Sequence, residues 1–188
     1  IYKKAFGLKV YMNQTTGPLL IDKFANQDLI FKSWSSKLPI MVHAEGEMVK
    51  IAIRLAKKHK KSIHICHMTA DQLEEIEKAR KDKLKITAEV CPHHLFLAED
   101  DIKRLGPLGI MKPSLSSRND QKKLWQYIDK IDMIATDHAP HTQEEKYDRT
   151  SPKFGVPGLE TALPLMLSAV DKGLLTLERL TAMTSTNP

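Results

Sequence analysis

Asp137, His138 and His141 stand together in the run Asp137-His138-Ala139-Pro140-His141, directly behind the apolar stretch Ile131-Asp132-Met133-Ile134-Ala135-Thr136. A carboxylate and imidazoles at the carboxyl end of a buried strand can bind a metal and pass protons. Three other strand-like runs carry chemistry of the same kind: Gly7-Leu8-Lys9-Val10-Tyr11, Leu38-Pro39-Ile40-Met41-Val42-His43 and Ser62-Ile63-His64-Ile65-Cys66-His67. In a parallel barrel such strand ends converge on one face. One strand-end histidine is most simply a core residue. Lys9, His43, His67 and Asp137 recurring at one structural position read instead as a metal site for hydrolysis.

A free ammonium cannot bind a cation, so Lys9 joins this set only as the carbamate formed with carbon dioxide, which bridges two metals as a carboxylate does. Leu8 and Val10 flank it and predict that the strand buries it, where an unpaired ammonium would be costly. Glu89, at the end of strand 84–90, and Cys66 are candidates for an extra metal or for support of the ligands, although Cys66 serves equally as a small core residue. His93 and His94 follow Pro92 and are expected to orient ligands or cap the loop, with His94 a further metal candidate. His64 is expected to face a covering helix.

Positioning such residues requires strands alternating with helices. Strand-like runs fall at 7–11, 38–42, 62–66, 84–90 and 131–136, and helical periods at about 21–34, 45–59, 70–81, 119–129, 158–171 and 176–184. Thr69 and Asp71 are capping candidates for the helix over 70–81. A longer insertion precedes the helix at 119–129, and a loop runs from the last strand to Pro157. This order predicts βαβ units around a parallel sheet, and the continuous apolar character of the strands predicts that both faces are covered. A closed (β/α)8 barrel has eight strands and typically about 250 residues. The chain is therefore expected to be the later part of such a barrel, about its fourth to eighth strands, as one partial domain over 1–188. An open doubly wound sheet is the alternative, but no Gly-rich phosphate loop follows any strand.

The 188 residues are 41% hydrophobic and 28% charged, ordinary for a soluble globular protein. No apolar run approaches the roughly 20 residues of a bilayer span, and no secretory pattern opens the chain. With two cysteines, Cys66 and Cys91, in core-like strands, a reducing cytoplasm is expected and no membrane partner. The net charge of +6 comes partly from Lys57-Lys58-His59-Lys60-Lys61 and Lys78-Ala79-Arg80-Lys81-Asp82-Lys83. Both clusters fall at helix ends, where cations suit the dipole. No aromatic stacking positions interleave with them, so they read as solvated helix ends and not as a nucleic-acid surface.

At these residues the sequence resembles the dihydroorotases of the amidohydrolase superfamily. The matching stretches are Gly7-Leu8-Lys9-Val10-Tyr11, Val42-His43-Ala44-Glu45, His64-Ile65-Cys66-His67, Glu89-Val90-Cys91-Pro92-His93-His94-Leu95-Phe96-Leu97, Thr136-Asp137-His138-Ala139-Pro140-His141 and Gly155-Val156-Pro157-Gly158-Leu159-Glu160. The resemblance implies a barrel with one or two zinc ions, Lys9 as carboxylated bridge, His43 and His67 on one metal and Asp137 on the other. It implies opening of the ring amide of dihydroorotate to N-carbamoyl-aspartate, with closure the biosynthetic direction, and Asp137 as general base and then acid. His141 would hold the substrate's carboxylate or carbonyl side, the backbone around Gly155 would line the pocket, and Thr15 in the loop 13–17 would close over substrate.

The family's first-strand His-x-His pair, with its nearby arginine, has no counterpart here, and neither does its early-strand asparagine. Lys112 stands where relatives have Asn or Arg for the substrate, and Thr16 where a bulky loop aromatic is usual. The sequence thus reads as a segment without the upstream strands or the downstream small β domain, inactive by itself. A homo-oligomer, alone or with aspartate transcarbamoylase, is the implied assembly. The rival readings are another cyclic amidase (hydantoinase, dihydropyrimidinase or allantoinase), favoured less by the loop 13–17, and a non-catalytic scaffold subunit, which would be expected to have lost ligands.

Overall fold

Short apolar runs separated by amphipathic stretches become parallel strands and helices in the computed structural model, which describes residues 5–188. The chain divides into two units, one up to Ala88 and one from Glu89 onward. In the first, β1 (Leu8–Tyr11), β2 (Ile40–His43), β3 (Ile63–Ile65) and the start of β4 (Ile86–Val90) form a parallel ladder in chain order. Its register sets Leu8 beside Ile40, Ile40 beside Ile63, and Ile63 beside Ile86. The intervening helices are α1 (Phe24–Ser33), α2 (Glu47–His59) and α3 (Leu73–Lys81), with α1 against α2 and α2 against α3. Val10, Ile40, Val42, Ile63 and Ile65 from the strands and Phe31, Val49, Leu55 and Ile76 from the helices are all buried.

Helix α2 shows how the sequence produces this. Val49, Ala52, Ile53 and Ala56 recur at helical spacing and are buried, giving the apolar stripe that packing stabilises. The helix ends at Lys60, whose left-handed backbone lets Lys61 N–H reach Ala56 O at 2.9 Å. Its basic last turn is matched by carboxylates: Lys57 bonds Asp82 at 2.6 Å, while Lys58 and His59 bond Asp28 at 2.7 and 2.8 Å. Lys58 foremost holds the Asp28 carboxyl below its usual range, as Lys57 does for Asp82. The capping expectation at α3 fails: a 3-10 turn, Ala70–Gln72, precedes the helix, and the Thr69 hydroxyl donates to Asp71 instead of accepting a backbone N–H.

In the second unit the end of β4 pairs with β5 (Met133–Ile134), aligning Glu89 with Met133 and Val90 with Ile134. This strand is shorter than the apolar run that predicts it. The carbonyl of Ile131 accepts from Arg179, and that of Asp132 accepts from Asn187 at 2.7 Å. Side chains from the C-terminal segment thus occupy the first carbonyls of the run. The insertion contains α4 (Pro92–Phe96) and α5 (Ile102–Leu105), followed by α6 (Arg118–Gln126). Beyond β5 come α7 (Gln143–Tyr147), α8 (Leu159–Asp171) and α9 (Leu177–Thr181). Helix α7 sits in the run expected to be loop. Its sequence signal is Thr142 three residues before Glu145, a capping box that the structure forms in both directions, at 3.2 and 3.0 Å. No helix among the described residues is long and apolar enough to cross a membrane.

Candidate active-site residues

In the first unit, β2 ends at His43, and Cys66 N–H donates to Val42 O at 3.1 Å as the chain leaves β3. That bond keeps the next residue, His67, beside the end of β2. Nδ1 of His43 and Nε2 of His67 lie 2.9 Å apart, each residue only 2% exposed, with rings 4.6 Å apart and tilted by 68°. Two nitrogens that each sit about 2.0 Å from a tetrahedral zinc are separated by roughly 3.3 Å. The pair therefore fits a shared ion with a shift of a few tenths of an ångström. Glu45 Oε1 stands 3.4 Å from Nε2 of His43, without the alignment of a hydrogen bond. His67 has φ 38°, a left-handed value uncommon outside glycine. Among the described residues, four other than glycine have positive φ: Lys60 and Lys83 lie where helices finish, whereas His67 and Asp137 follow strands. Histidine and aspartate enter this left-handed region more readily than most residues other than glycine and asparagine.

Lys9 departs from expectation. It is exposed, not buried, because Val10 takes the inward direction on β1 and its neighbours alternate to the other face. Its ammonium lies 5.3 Å from the centroid of the Tyr11 ring, which in turn is 5.6 Å from the His43 ring. The ammonium therefore needs no buried counter-charge. Thr15 is half-buried in a loop tethered through Asn13, whose Oδ1 accepts from Glu45 N–H at 2.7 Å. Cys66 is buried and is not part of a disulfide. His64 is buried, and its Nδ1 meets Thr87 Oγ1 on the neighbouring strand β4 at 2.8 Å.

In the second unit, Asp137 is exposed just beyond β5, with φ 46°. The segment behind it is held by Ala139 N–H to Val156 O at 3.1 Å and by His138, whose Nδ1 accepts from Gly158 and Leu159 N–H at 3.1 and 3.4 Å. His138 thus caps α8, satisfying donors that a helix start leaves open. Gly155, at φ 134°, leaves no room for a side chain, since a Cβ there would lie 2.6 Å from the Cβ of Ala139. His141 donates from Nε2 to Phe154 O at 3.1 Å, with Glu145 Oε2 at 3.4 Å from Nδ1. Lys112 places its ammonium 5.4 Å from the centroid of the Phe154 ring. Three substrate candidates, Lys112, His141 and Gly155, are therefore brought together around Phe154. Sequence reasoning passed over Lys146, buried beneath this group with its ammonium on the carbonyls of Ile110, Lys153 and Gly155 at 2.7, 3.0 and 2.9 Å.

Glu89 is half-buried on β4 opposite Met133. His94 is buried and donates from Nε2 to Pro113 O at 3.0 Å, clamping the insertion as a loop-capping residue would. The ligand atoms of Cys91, His93 and His94 lie within 4.8 Å of one another. Burial foremost, then His94, pushes the pKa of His93 down to about 3 from an ordinary 6.5. The unfolded chain would bind a proton there that the folded chain refuses. Stability is therefore complete above about pH 6.5 and falls as the pH drops toward 3, by about 1.4 kcal/mol per unit for this site. Urea denaturation at pH 7, 6, 5 and 4 in chelator should show a flatter acid decline in His93→Gln than in the parent. Parallel declines would refute the neutral, buried imidazole.

The strand and helix order is that of part of a (β/α)8 amidohydrolase barrel. The chain superposes on an L-hydantoinase (dihydropyrimidinase) from Arthrobacter aurescens with a TM-score of 0.90 and 26% identity, over 98% of this chain and 50% of that one. It also matches the inactive dihydroorotase-like domain of a Chaetomium thermophilum CAD-like multifunctional protein, with a TM-score of 0.78 and 26% identity, over 99% and 52%. Within that class the chain is by sequence a relative of the dihydroorotases. It is 43% identical to the multifunctional protein CAD of Squalus acanthias, over 100% of this chain and 8% of that one. With the dihydroorotase of Pyrococcus furiosus it shares 37% identity, over 96% and 45%. The chain thus spans about half of the length of these proteins, or less. No family model matches it.

Proposed function

We propose that the protein carrying this chain is a zinc-dependent dihydroorotase, reversibly closing N-carbamoyl-L-aspartate to L-dihydroorotate in pyrimidine biosynthesis in the cytoplasm. The observation that carries the reading is the buried His43–His67 pair, whose facing nitrogens are 2.9 Å apart. Those imidazoles, with Asp137 and Lys9 as its carbamate, would hold one or two zinc ions. Bound zinc would polarise the scissile carbonyl and lower the pKa of water to about 7. Asp137 moves the proton between water and ring nitrogen. His141 and Lys112 present cationic or donor groups to the substrate carboxylate, beside the backbone of Gly155. Thr15 rides on a loop tethered near His43 and closes over the substrate. Glu89, Cys66 and His94 support this set or an extra metal. An association with aspartate transcarbamoylase, or a homo-oligomer, rests on the likeness to multifunctional relatives.

The superposition on L-hydantoinase favours a second reading, a cyclic amidase for hydantoins or dihydropyrimidines. The full-length protein, zinc-loaded in bicarbonate, should open dihydroorotate with a kcat/KM at least 100-fold above that for hydantoin or dihydrouracil. The reverse preference would establish the second reading. Turnover of none of the three, with zinc bound, would place the protein with the inactive domains.

A further inference from the structure

We propose that Lys146 is the positioning residue of the substrate-binding wall, its buried ammonium clamping the backbone on which His141, Lys112 and Gly155 depend. The inference rests on the reading above, in which those three residues meet the substrate. An ammonium has three donors, and Lys146 spends them on the carbonyls of Ile110, Lys153 and Gly155, at 2.7, 3.0 and 2.9 Å. None of its hydrogen bonds among the described residues goes to a carboxylate. Burying a cation among dipoles alone is costly, and an apolar side chain of similar volume would fill the same space more cheaply. The charge is therefore explained by what it holds in place.

The three carbonyls define that purpose. Lys153 and Gly155 flank Phe154, the residue whose own carbonyl receives the Nε2 proton of His141 at 3.1 Å. Lys146 thus grips the carbonyls of residues 153 and 155, while His141 grips that of residue 154 between them. Ile110 is two residues before Lys112 and also accepts Gly155 N–H at 3.1 Å. Its double role joins the Lys112 segment to the Gly155 segment. Lys146 itself is fixed on α7 by its N–H to Thr142 O at 3.0 Å, directly after His141. One ammonium thus sets the separation of an imidazole, a lysine and a glycine backbone that come from three stretches of chain. Arginine would keep the charge, but its planar fork cannot address three converging carbonyls in the same way.

Lys146→Met in the full-length, zinc-loaded protein tests this. Amide exchange at Gly155 and Lys153 should speed up at least tenfold, and the KM for dihydroorotate should rise about tenfold or more while kcat stays within threefold. A merely structural role would lower the active fraction, so that kcat falls and KM stays put; that result overturns the proposal. If the parent does not turn over dihydroorotate, the functional reading fails by itself, and exchange alone decides: unchanged protection at Gly155 refutes the clamp. Where Lys146→Met does not fold, Lys146→Arg takes its place, and an unaltered KM with unaltered exchange overturns the assignment.

Discussion

Asp137→Asn should leave a folded protein whose turnover of dihydroorotate falls by more than 10⁴-fold. Loss of a general acid–base group alone costs about 10²–10⁴-fold. The amide would also bind zinc poorly, so the two losses compound. The fold should survive because Asp137 is exposed. Its left-handed backbone, φ 46°, is one that asparagine tolerates as readily as aspartate. Far-UV circular dichroism and the thermal midpoint should therefore match those of the parent, which separates a chemical loss from an unfolding one. Hydrolysis within tenfold of the parent would remove Asp137 from the reaction.

His43→Ala, His67→Ala and the double variant should all fall to one floor. Zinc polarisation of a carbonyl is worth several kcal/mol, and about 4 kcal/mol corresponds to roughly a 10³-fold rate loss. Each single variant should lose at least that much, together with most of its zinc by elemental analysis. The physical reason is geometric: with facing nitrogens 2.9 Å apart, an ion bound there would be shared, and neither ring would hold it without the other. Residues that act as a unit are non-additive when removed. Additive losses, or full zinc content in either single variant, would show that the two rings do not share an ion.

The acidic decline at His93 and the KM shift at Lys146 are smaller effects with a different origin. Both belong to side chains whose burial the sequence does not announce. His93 follows Pro92 in a stretch that reads as an irregular insertion, and Lys146 lies in a stretch that reads as a loop.

What the sequence alone determined is the order of the five described strands and of helices α1, α2, α3, α6, α8 and α9. Ile40, Val42, Ile63 and Ile65 lie in short apolar runs because parallel strands are covered on both faces. The helix over Glu47–His59 was legible because burial repeats at Val49, Ala52, Ile53 and Ala56. His43, His67 and Asp137 were legible because each stands where a run of that kind stops. Tertiary structure decided the rest. Periodicity reports which face of an element is buried, but says nothing of which polar atom meets which across the fold. His43 and His67 are 24 residues apart, and Lys146 and Ile110 are 36 apart. Lys9 is exposed because Val10 took the buried face of β1, leaving Lys9 on the face it shares with Tyr11, a choice its two apolar neighbours could not reveal. Strand β5 was cut short by carbonyls given to Arg179 and Asn187, 48 and 55 residues along the chain. The ammonium of Lys146 is buried against its composition because three carbonyls converge on it, and only the folded backbone brings them there.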